Sequence, residues 1–280
     1  MSATEPIDYL EWTATDAAEH IAVPSAADDK YSRGVLGVIT GSDQYPGAAV
    51  LGVDAALHTG VGMVRYLGPA RPSDLVLQRR PEAVTTDGRV QAWLLGSGMD
   101  HTRRDAAALK RMHEAMDEGL PTVLDGGALD LHARASGPVV ITPHFRELAR
   151  VLSVSESDIA GDPATWARKA ADDLGVTVLL KGHTTYVAGL GVSLAASSAS
   201  SWLATAGAGD ALGGILGALV ATHAAALRSD ETLLAQLAAT ASVLHGLAAQ
   251  RAGSGGPFTI LALIDAIPAT IGALLGGLEQ

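Results

Sequence analysis

Phosphoryl chemistry could be assembled from a handful of short motifs in this 280-residue chain. The strongest is Thr205-Ala206-Gly207-Ala208-Gly209-Asp210, which runs straight into an apolar helical stretch. Its small residues let a ligand approach the backbone closely. A helix starting there aims unpaired N–H groups and its positive dipole end at one point, a place for a phosphoryl oxygen. Asp210 has two readings: an N-cap for the helix, or a base that takes the proton of a hydroxyl attacking phosphorus.

Three further motifs end apolar runs. Leu179-Leu180-Lys181-Gly182-His183-Thr184-Thr185 closes a strand with a cation and a glycine. Ligands gather at the carboxyl ends of strands in open α/β sheets, so Lys181 is placed to meet a phosphate; the alternative is a hairpin with a solvated lysine. Ile141-Thr142-Pro143-His144-Phe145-Arg146-Glu147 reads as a helix start with Pro143 at the first helical position. There His144 could bond a ligand, and Glu147 could reach phosphate-bound Mg²⁺ directly or through water, or both could merely decorate the first turn. Leu95-Gly96-Ser97-Gly98-Met99 is a strand followed by a glycine turn. In addition, Gly41-Ser42-Asp43-Gln44-Tyr45-Pro46-Gly47-Ala48-Ala49 opens a helix, with small residues that suit either a flat ring or tight packing. Asp125 follows another strand and either holds a loop or approaches the site.

Other chemistries lack their residues. There are no cysteines, which removes disulfides and thiolate metal sites and fits a reducing, cytoplasmic interior. The nine histidines show no HExxH spacing, and neither a Walker GxxxxGK[ST] nor a GxSxG elbow is present. The formal net charge of −11 repels nucleic acid and anionic membrane. With only 19 scattered Lys and Arg, an anion must be held by backbone N–H groups, a helix end or a metal.

The elements that must position these motifs alternate. Nearly continuous apolar runs at 35–40, 63–67, 90–95, 122–124, 139–141 and 176–180 read as strands covered on both faces. Helical spacing appears at 48–58, 104–118, 145–152 and 165–174. This alternation predicts a parallel sheet layered between helices. Two long Ala/Leu-rich helices follow over 210–227 and 231–251, and a last one starts near 260. Residues 203–221 and 260–278 are apolar enough to test as membrane spans. Asp210 in one, and Asp265 with Pro268 in the other, point to buried helices of a globule instead. Residues 1–29 are expected to be a loosely ordered N-terminal segment without the pattern of a signal peptide. Residues 30–280 are expected to form one domain.

Taken in order, these motifs resemble the NAD(P)H-hydrate dehydratase family of the ribokinase-like superfamily. The resemblance spans residues 34 to about 220 and rests on 34–41 with 46–51, on 60–62, 96–98 and 123–129, and on 142–147, 180–185 and 205–210. The last of these is common to the superfamily, whereas the GAA and TPH motifs are particular to this branch. Two positions depart: Arg146 stands where the family's TPHxGE has glycine, and Asp100 where its GPGLG pattern ends in glycine. Both could weaken ligand binding. The epimerase domain fused to some relatives is expected to be missing.

The resemblance implies a ribokinase-like three-layer sandwich with a mostly parallel central sheet. It implies ADP- or ATP-dependent dehydration of the S form of hydrated NADH or NADPH, releasing AMP or ADP and phosphate. Asp210 would be the catalytic base; Ala48, Gly98, His144 and Asp210 would bind the hydrate. Lys181, Gly182, His183, Thr184, Thr185 and Gly209 would bind the nucleotide, with Ala208 and Gly209 as the anion hole. Glu147 would position Mg²⁺, and the chain would assemble as a homotetramer or other homo-oligomer. A small-molecule kinase of the same fold, of hydroxyethylthiazole or pyridoxal type, is the competing reading.

Overall fold

The computed structural model describes residues 8–197 and 200–278; residues 1–7 of the N-terminal segment lie outside them. Six parallel strands form one continuous part of the sheet: β2 (Val35–Ile39), β3 (Met63–Tyr66), β4 (Ala92–Leu95), β5 (Thr122–Leu124), β6 (Val139–Ile141) and β7 (Thr177–Leu180), with β3 at its edge. β8 (Thr185–Gly189) and β9 (Val192–Ala196) continue it antiparallel, and β1 (Leu10–Glu11) pairs parallel to β9. The order across the sheet is β1-β9-β8-β7-β6-β5-β4-β2-β3.

Alternating side chains enter two cores, as strands covered on both faces require. Leu36, Val38, Leu94, Val123 and Leu179 face α2 (Gly47–Thr59), α8 (Ala208–Thr222), α9 (Leu233–Gly253) and α10 (Ile260–Leu278). Val35, Ile39, Leu95, Leu124, Ile141 and Leu180 face α4 (Ala106–Asp117), α5 (Phe145–Leu152), α6 (Glu156–Gly161) and α7 (Pro163–Leu174). Each wholly buried Leu or Ile stabilises by roughly 1.5–3 kcal/mol. The closest helix pair is α2 against α8. A β-carbon on Gly214 would stand 2.1 Å from the Gly52 carbonyl oxygen, so nothing larger than glycine fits that crossing.

The six expected strands are present, but β8 and β9 were not expected; their Gly, Ala and Ser content gives no apolar run. α1 (Ala14–Glu19), α3 (Ala70–Arg79) and α6 were also missed, being short or, in α3, polar with Pro72 in the first turn. The helix expected over 210–227 ends at Thr222, with a 3-10 turn over Ala226–Arg228.

Two expectations are corrected. The N-terminal segment is not loose from residue 8 onward. β1 joins the sheet, Thr13 and Asp16 form a capping box for α1, and Trp12 Nε1 donates to Thr240 Oγ1 at 3.1 Å. Nor is the final helix buried: 28% of 260–277 lies inside the molecule, against 83% of α9. Both helices are long and apolar enough to cross a membrane by composition. Asp265 of α10, however, lies 3.6 Å from Arg79 and 3.7 Å from His58. Both of those side chains also pair with the fully buried Asp54, which ties α2 to α3.

Candidate active site

Three neighbouring parallel strands, β5, β6 and β7, end side by side and deliver Asp125, Thr142 and Lys181 to one edge of the sheet. Lys181 Nζ donates to Asp125 Oδ1 at 2.9 Å, and Thr142 Oγ1 donates to the same oxygen at 2.8 Å. Glu147 Oε2 is 3.8 Å from Lys181 Nζ. The Lys181 side chain is 20% exposed and that of Asp125 7%. Burial works against both charges. The pair nevertheless keeps Asp125 below the usual carboxylate range, through Lys181 and Thr142, and Lys181 above the usual amine range, through Asp125 and Glu147. Lys181 does lie in a hairpin turn, between β7 and β8, but it is paired rather than solvated.

α8 begins with Gly207 at φ +92°, a left-handed conformation in which a β-carbon would also stand 2.6 Å from Leu51 Cδ1. No side chain caps this helix; the Ala208 N–H donates to the Thr205 carbonyl at 3.4 Å, and among the described residues the N–H groups of Gly209 and Asp210 are the ones left open to an anion. Asp210 is the third helical residue and makes no capping bond, so the N-cap reading is set aside. Lys181 Nζ lies 3.5 Å from where a β-carbon on Gly209 would be. Burial, and then the Asp125 carboxylate, push the Asp210 carboxyl up to about 7 against the pull of Lys181. A carboxyl with that proton affinity changes charge near neutral pH, the range a general base at that pH would need.

α5 starts at Phe145, two residues later than the helix start read at Pro143, with His144 as its N-cap, while Thr142 donates to Asp125. His144 Nδ1 accepts from the Glu147 N–H at 3.3 Å, and Glu147 Oε2 accepts from the His144 N–H at 2.9 Å. The Lys181 N–H donates to the Pro143 carbonyl at 2.9 Å, which joins the two loops.

These loops and the start of α8 enclose a cavity of about 750 Å³. His144, Lys181, Gly182, His183, Thr185, Ala208 and Gly209 line it. Thr184, Glu147 and Asp210 are not in the wall; Glu147 lies 3.8 Å from the lining Lys181, and Asp210 follows the lining Gly209 in the chain. Ala48 and Gly98 are not in the wall but touch each other: a β-carbon on Gly98 would stand 2.3 Å from Ala48 Cβ. That contact lies along α2 one turn before Gly52, whose β-carbon position is 3.5 Å from the Asp210 carbonyl oxygen.

Among the described residues no three His, Asp or Glu side chains converge as a metal cage. Among the described residues the bonds and ion pairs of the Glu147 carboxylate all run through Oε2, and a single carboxylate of this kind fits an ion that arrives with phosphates and keeps its own waters, as Mg²⁺ does. Sequence reasoning read Thr142 only as part of a helix start and gave no role to Ser242 or His245. Thr142 and Asp125 were legible as strand-end polar residues. Ser242 and His245 sit in an apolar helix and carried no signal that they face a cavity.

The family model for NAD(P)H-hydrate dehydratase matches residues 36–264. The chain is 43% identical over 228 residues to the bifunctional NAD(P)H-hydrate repair enzyme of Mycobacterium tuberculosis. The match covers 77% of this chain and 46% of that protein, so the chain spans about half the length of the bifunctional relatives. It is 34% identical to the ADP-dependent (S)-NAD(P)H-hydrate dehydratase of Neisseria meningitidis, covering 72% of this chain and 74% of that one. In fold it is similar to the ADP/ATP-dependent NAD(P)H-hydrate dehydratase of Bacillus subtilis co-crystallized with ATP/Mg²⁺. The TM-score is 0.84 at 22% identity, over 96% of this chain and 100% of the other.

Proposed function

This chain belongs to the NAD(P)H-hydrate dehydratase family, and from that premise we propose that it dehydrates the S form of hydrated NADH or NADPH at the expense of ADP or ATP. The observation that carries the reading is the Asp210 carboxyl, held near pKa 7 beside Lys181 at the uncapped start of α8.

Hydroxide is a poor leaving group, so the ring hydroxyl must be activated. Asp210 accepts its proton as the oxygen attacks the terminal phosphorus, and AMP or ADP departs. The open N–H groups of Gly209 and Asp210 hold the phosphoryl oxygens. Lys181 through Thr185 cradle the nucleotide, with Lys181 balancing its charge. Loss of the neighbouring ring proton then breaks the C–O bond, expels phosphate and restores the double bond. Ala48, Gly98 and His144 would line the hydrate's approach. Glu147 would hold Mg²⁺ directly or through water, and the bound ion would neutralise phosphate charge.

Assembly as a homotetramer or other homo-oligomer is supported by the exposed apolar face of α10. A cytoplasmic setting, with small molecules rather than nucleic acid or membrane as partners, is consistent with the −11 charge and lack of cysteine. The test follows near-ultraviolet absorbance of reduced nicotinamide with NADH or NADPH hydrate, Mg²⁺, and ADP or ATP. Recovery that requires a nucleotide is the expected result. A stable phosphorylated product without recovery would point to a kinase.

A further inference from the structure

Ser97 follows β4 in a turn between Gly96, at φ +95°, and Gly98, at φ +66°, so left-handed glycines fix its backbone on both sides. It is 1% exposed, and its hydroxyl oxygen has no hydrogen-bond partner among the described residues. Its carbonyl is committed, accepting from the Gly41 N–H at 2.7 Å. The hydroxyl oxygen lies 3.5 Å from where a β-carbon on Gly213 would stand, three residues after Asp210 on α8. It is therefore sealed between the strand ends and that helix. Buried hydroxyls are almost always paired, so an unpaired one beside a site calls for a reason.

Asp125 supplies one. Its N–H donates to the Leu95 carbonyl at 3.0 Å, which sets the ends of β4 and β5 side by side. Among the described residues the hydrogen bonds to its carboxylate, from Lys181 and Thr142, both run to Oδ1. Burial pushes this carboxyl up, and Lys181, Thr142 and then Ser97 hold it down. Ser97 thus stands near enough to act on the carboxylate without yet meeting it in normal bonding geometry. Lys181, by contrast, is shared: its Nζ is 2.9 Å from Asp125 and 3.5 Å from the β-carbon position of Gly209. A phosphate at the Gly209 N–H would draw the ammonium across and leave a buried carboxylate with Thr142 alone. The other charged groups around Lys181 are the Glu147 and Asp210 carboxyls, which bring no donor when ionised. A serine hydroxyl has one proton to give and turns freely to aim it.

We infer that Ser97 is a positioning residue: as Lys181 turns to the phosphate, the Ser97 hydroxyl closes on Asp125 and takes over as its donor. One N–H···O bond is exchanged for one O–H···O bond, and no proton is transferred. Asp125 stays an anion through the exchange, and Lys181 is released at little cost. The inference rests on the proposed reading that Lys181 meets a nucleotide phosphate, and it gives Ser97 a role which that reading does not contain.

The experiment is calorimetric binding of ADP with Mg²⁺ to the intact protein, paired with denaturant melts without nucleotide. Ser97→Ala should weaken ADP by roughly tenfold, the scale of one hydrogen bond to a charged group. The midpoint of its nucleotide-free melt should stay put or rise, because the hydroxyl is unpaired there. Ser97→Cys, which keeps a weak donor, should fall between the two in affinity. On an Asp125→Asn background, Ser97→Ala should change affinity by less than about twofold, since no carboxylate is then left to cover. Unchanged affinity in Ser97→Ala overturns the inference. So does an equal loss on the Asp125→Asn background, or a matching drop in the nucleotide-free melt, which would make the hydroxyl merely structural. If Ser97→Ala does not melt cooperatively, Ser97→Cys decides: full ADP affinity overturns the inference, and weaker affinity at an unchanged melt midpoint supports it. Failure of the wild type to bind ADP or ATP would instead overturn the nucleotide reading itself.

Discussion

Lys181 and Gly209 meet across the site: the ammonium nitrogen lies 3.5 Å from where a β-carbon on Gly209 would stand. The cation therefore closes on the first turn of α8 while Asp125 holds it from behind at 2.9 Å. One lysine thus links the carboxyl ends of β5 and β7 to the helix that carries Asp210. Under the proposed function, a phosphate arriving here would meet a charge and the open Gly209 N–H already in place, so little reorganisation would be needed at the moment of reaction.

Asp210→Asn should lower turnover by roughly 100- to 10,000-fold, the usual worth of a general base, with nucleotide affinity largely kept. Hydrate turnover and calorimetric nucleotide binding check this together. The same variant should be more stable than the wild type at pH 8 by on the order of 1–3 kcal/mol. The folded protein raises this carboxyl from 3.8 to about 7, so folding stability is lost as pH rises between those two values, where the unfolded carboxyl has ionised and the folded one has not, and the full cost is carried above 7. The difference should vanish at low pH, where the carboxyl is protonated folded or unfolded. Wild-type turnover by Asp210→Asn would remove it as the base.

The pH dependence follows the same group. Below about 7 Asp210 is increasingly protonated and cannot accept a proton. The kcat/KM for the hydrate should fall toward acid with a midpoint near 7. Asp125→Asn removes a carboxylate that raises this pKa and frees Lys181, which lowers it, so the acid limb should move to lower pH. A limb that stays put or moves upward would contradict the electrostatic account.

Asp125→Ala should destabilise the fold by about 1–3 kcal/mol, because it removes the nearest partner of a largely buried ammonium and leaves it Glu147 at 3.8 Å. Lys181→Met alone should also destabilise. The double variant should cost less than the sum, since neither charge is then left unpaired. Denaturant melts of the four proteins measure the coupling, and strict additivity would mean that the pair is not energetically linked.

Gly207→Ala forces a β-carbon onto a residue at φ +92° beside Leu51. Strain of this kind costs roughly 1–3 kcal/mol. Relief by rotating the turn would misdirect the N–H groups of Gly209 and Asp210. Nucleotide affinity should therefore drop more than global stability does, which parallel binding and melting experiments would reveal.

The central strands were legible because their reason is local: 122–124 and 139–141 are short apolar runs, and burial on both faces demands that composition. Likewise, Gly207 followed by Ala208-Gly209-Asp210 marks a helix mouth for steric and dipolar reasons that involve no distant residue. β8 and β9 were illegible because they are strands chiefly through their partners, as Val187 opposite Leu179 and Leu194 opposite Val187 illustrate. α1 likewise depends on α9 for its burial.

Residue types, strand-end placement and the small-residue helix start are determined by the sequence alone, since each depends on neighbours a few positions away. Whether Asp210 caps its helix or stands as a raised, uncommitted carboxyl was decided only by folding, which brought Asp125 and Lys181 to it from 85 and 29 positions earlier in the chain. His245 shows the same division. In the chain it is one histidine in an apolar helix, and it becomes a cavity wall with an unpaired nitrogen only when α9 packs against the first turn of α8. Burial and through-space charge set proton affinity, and neither exists until distant segments are packed together.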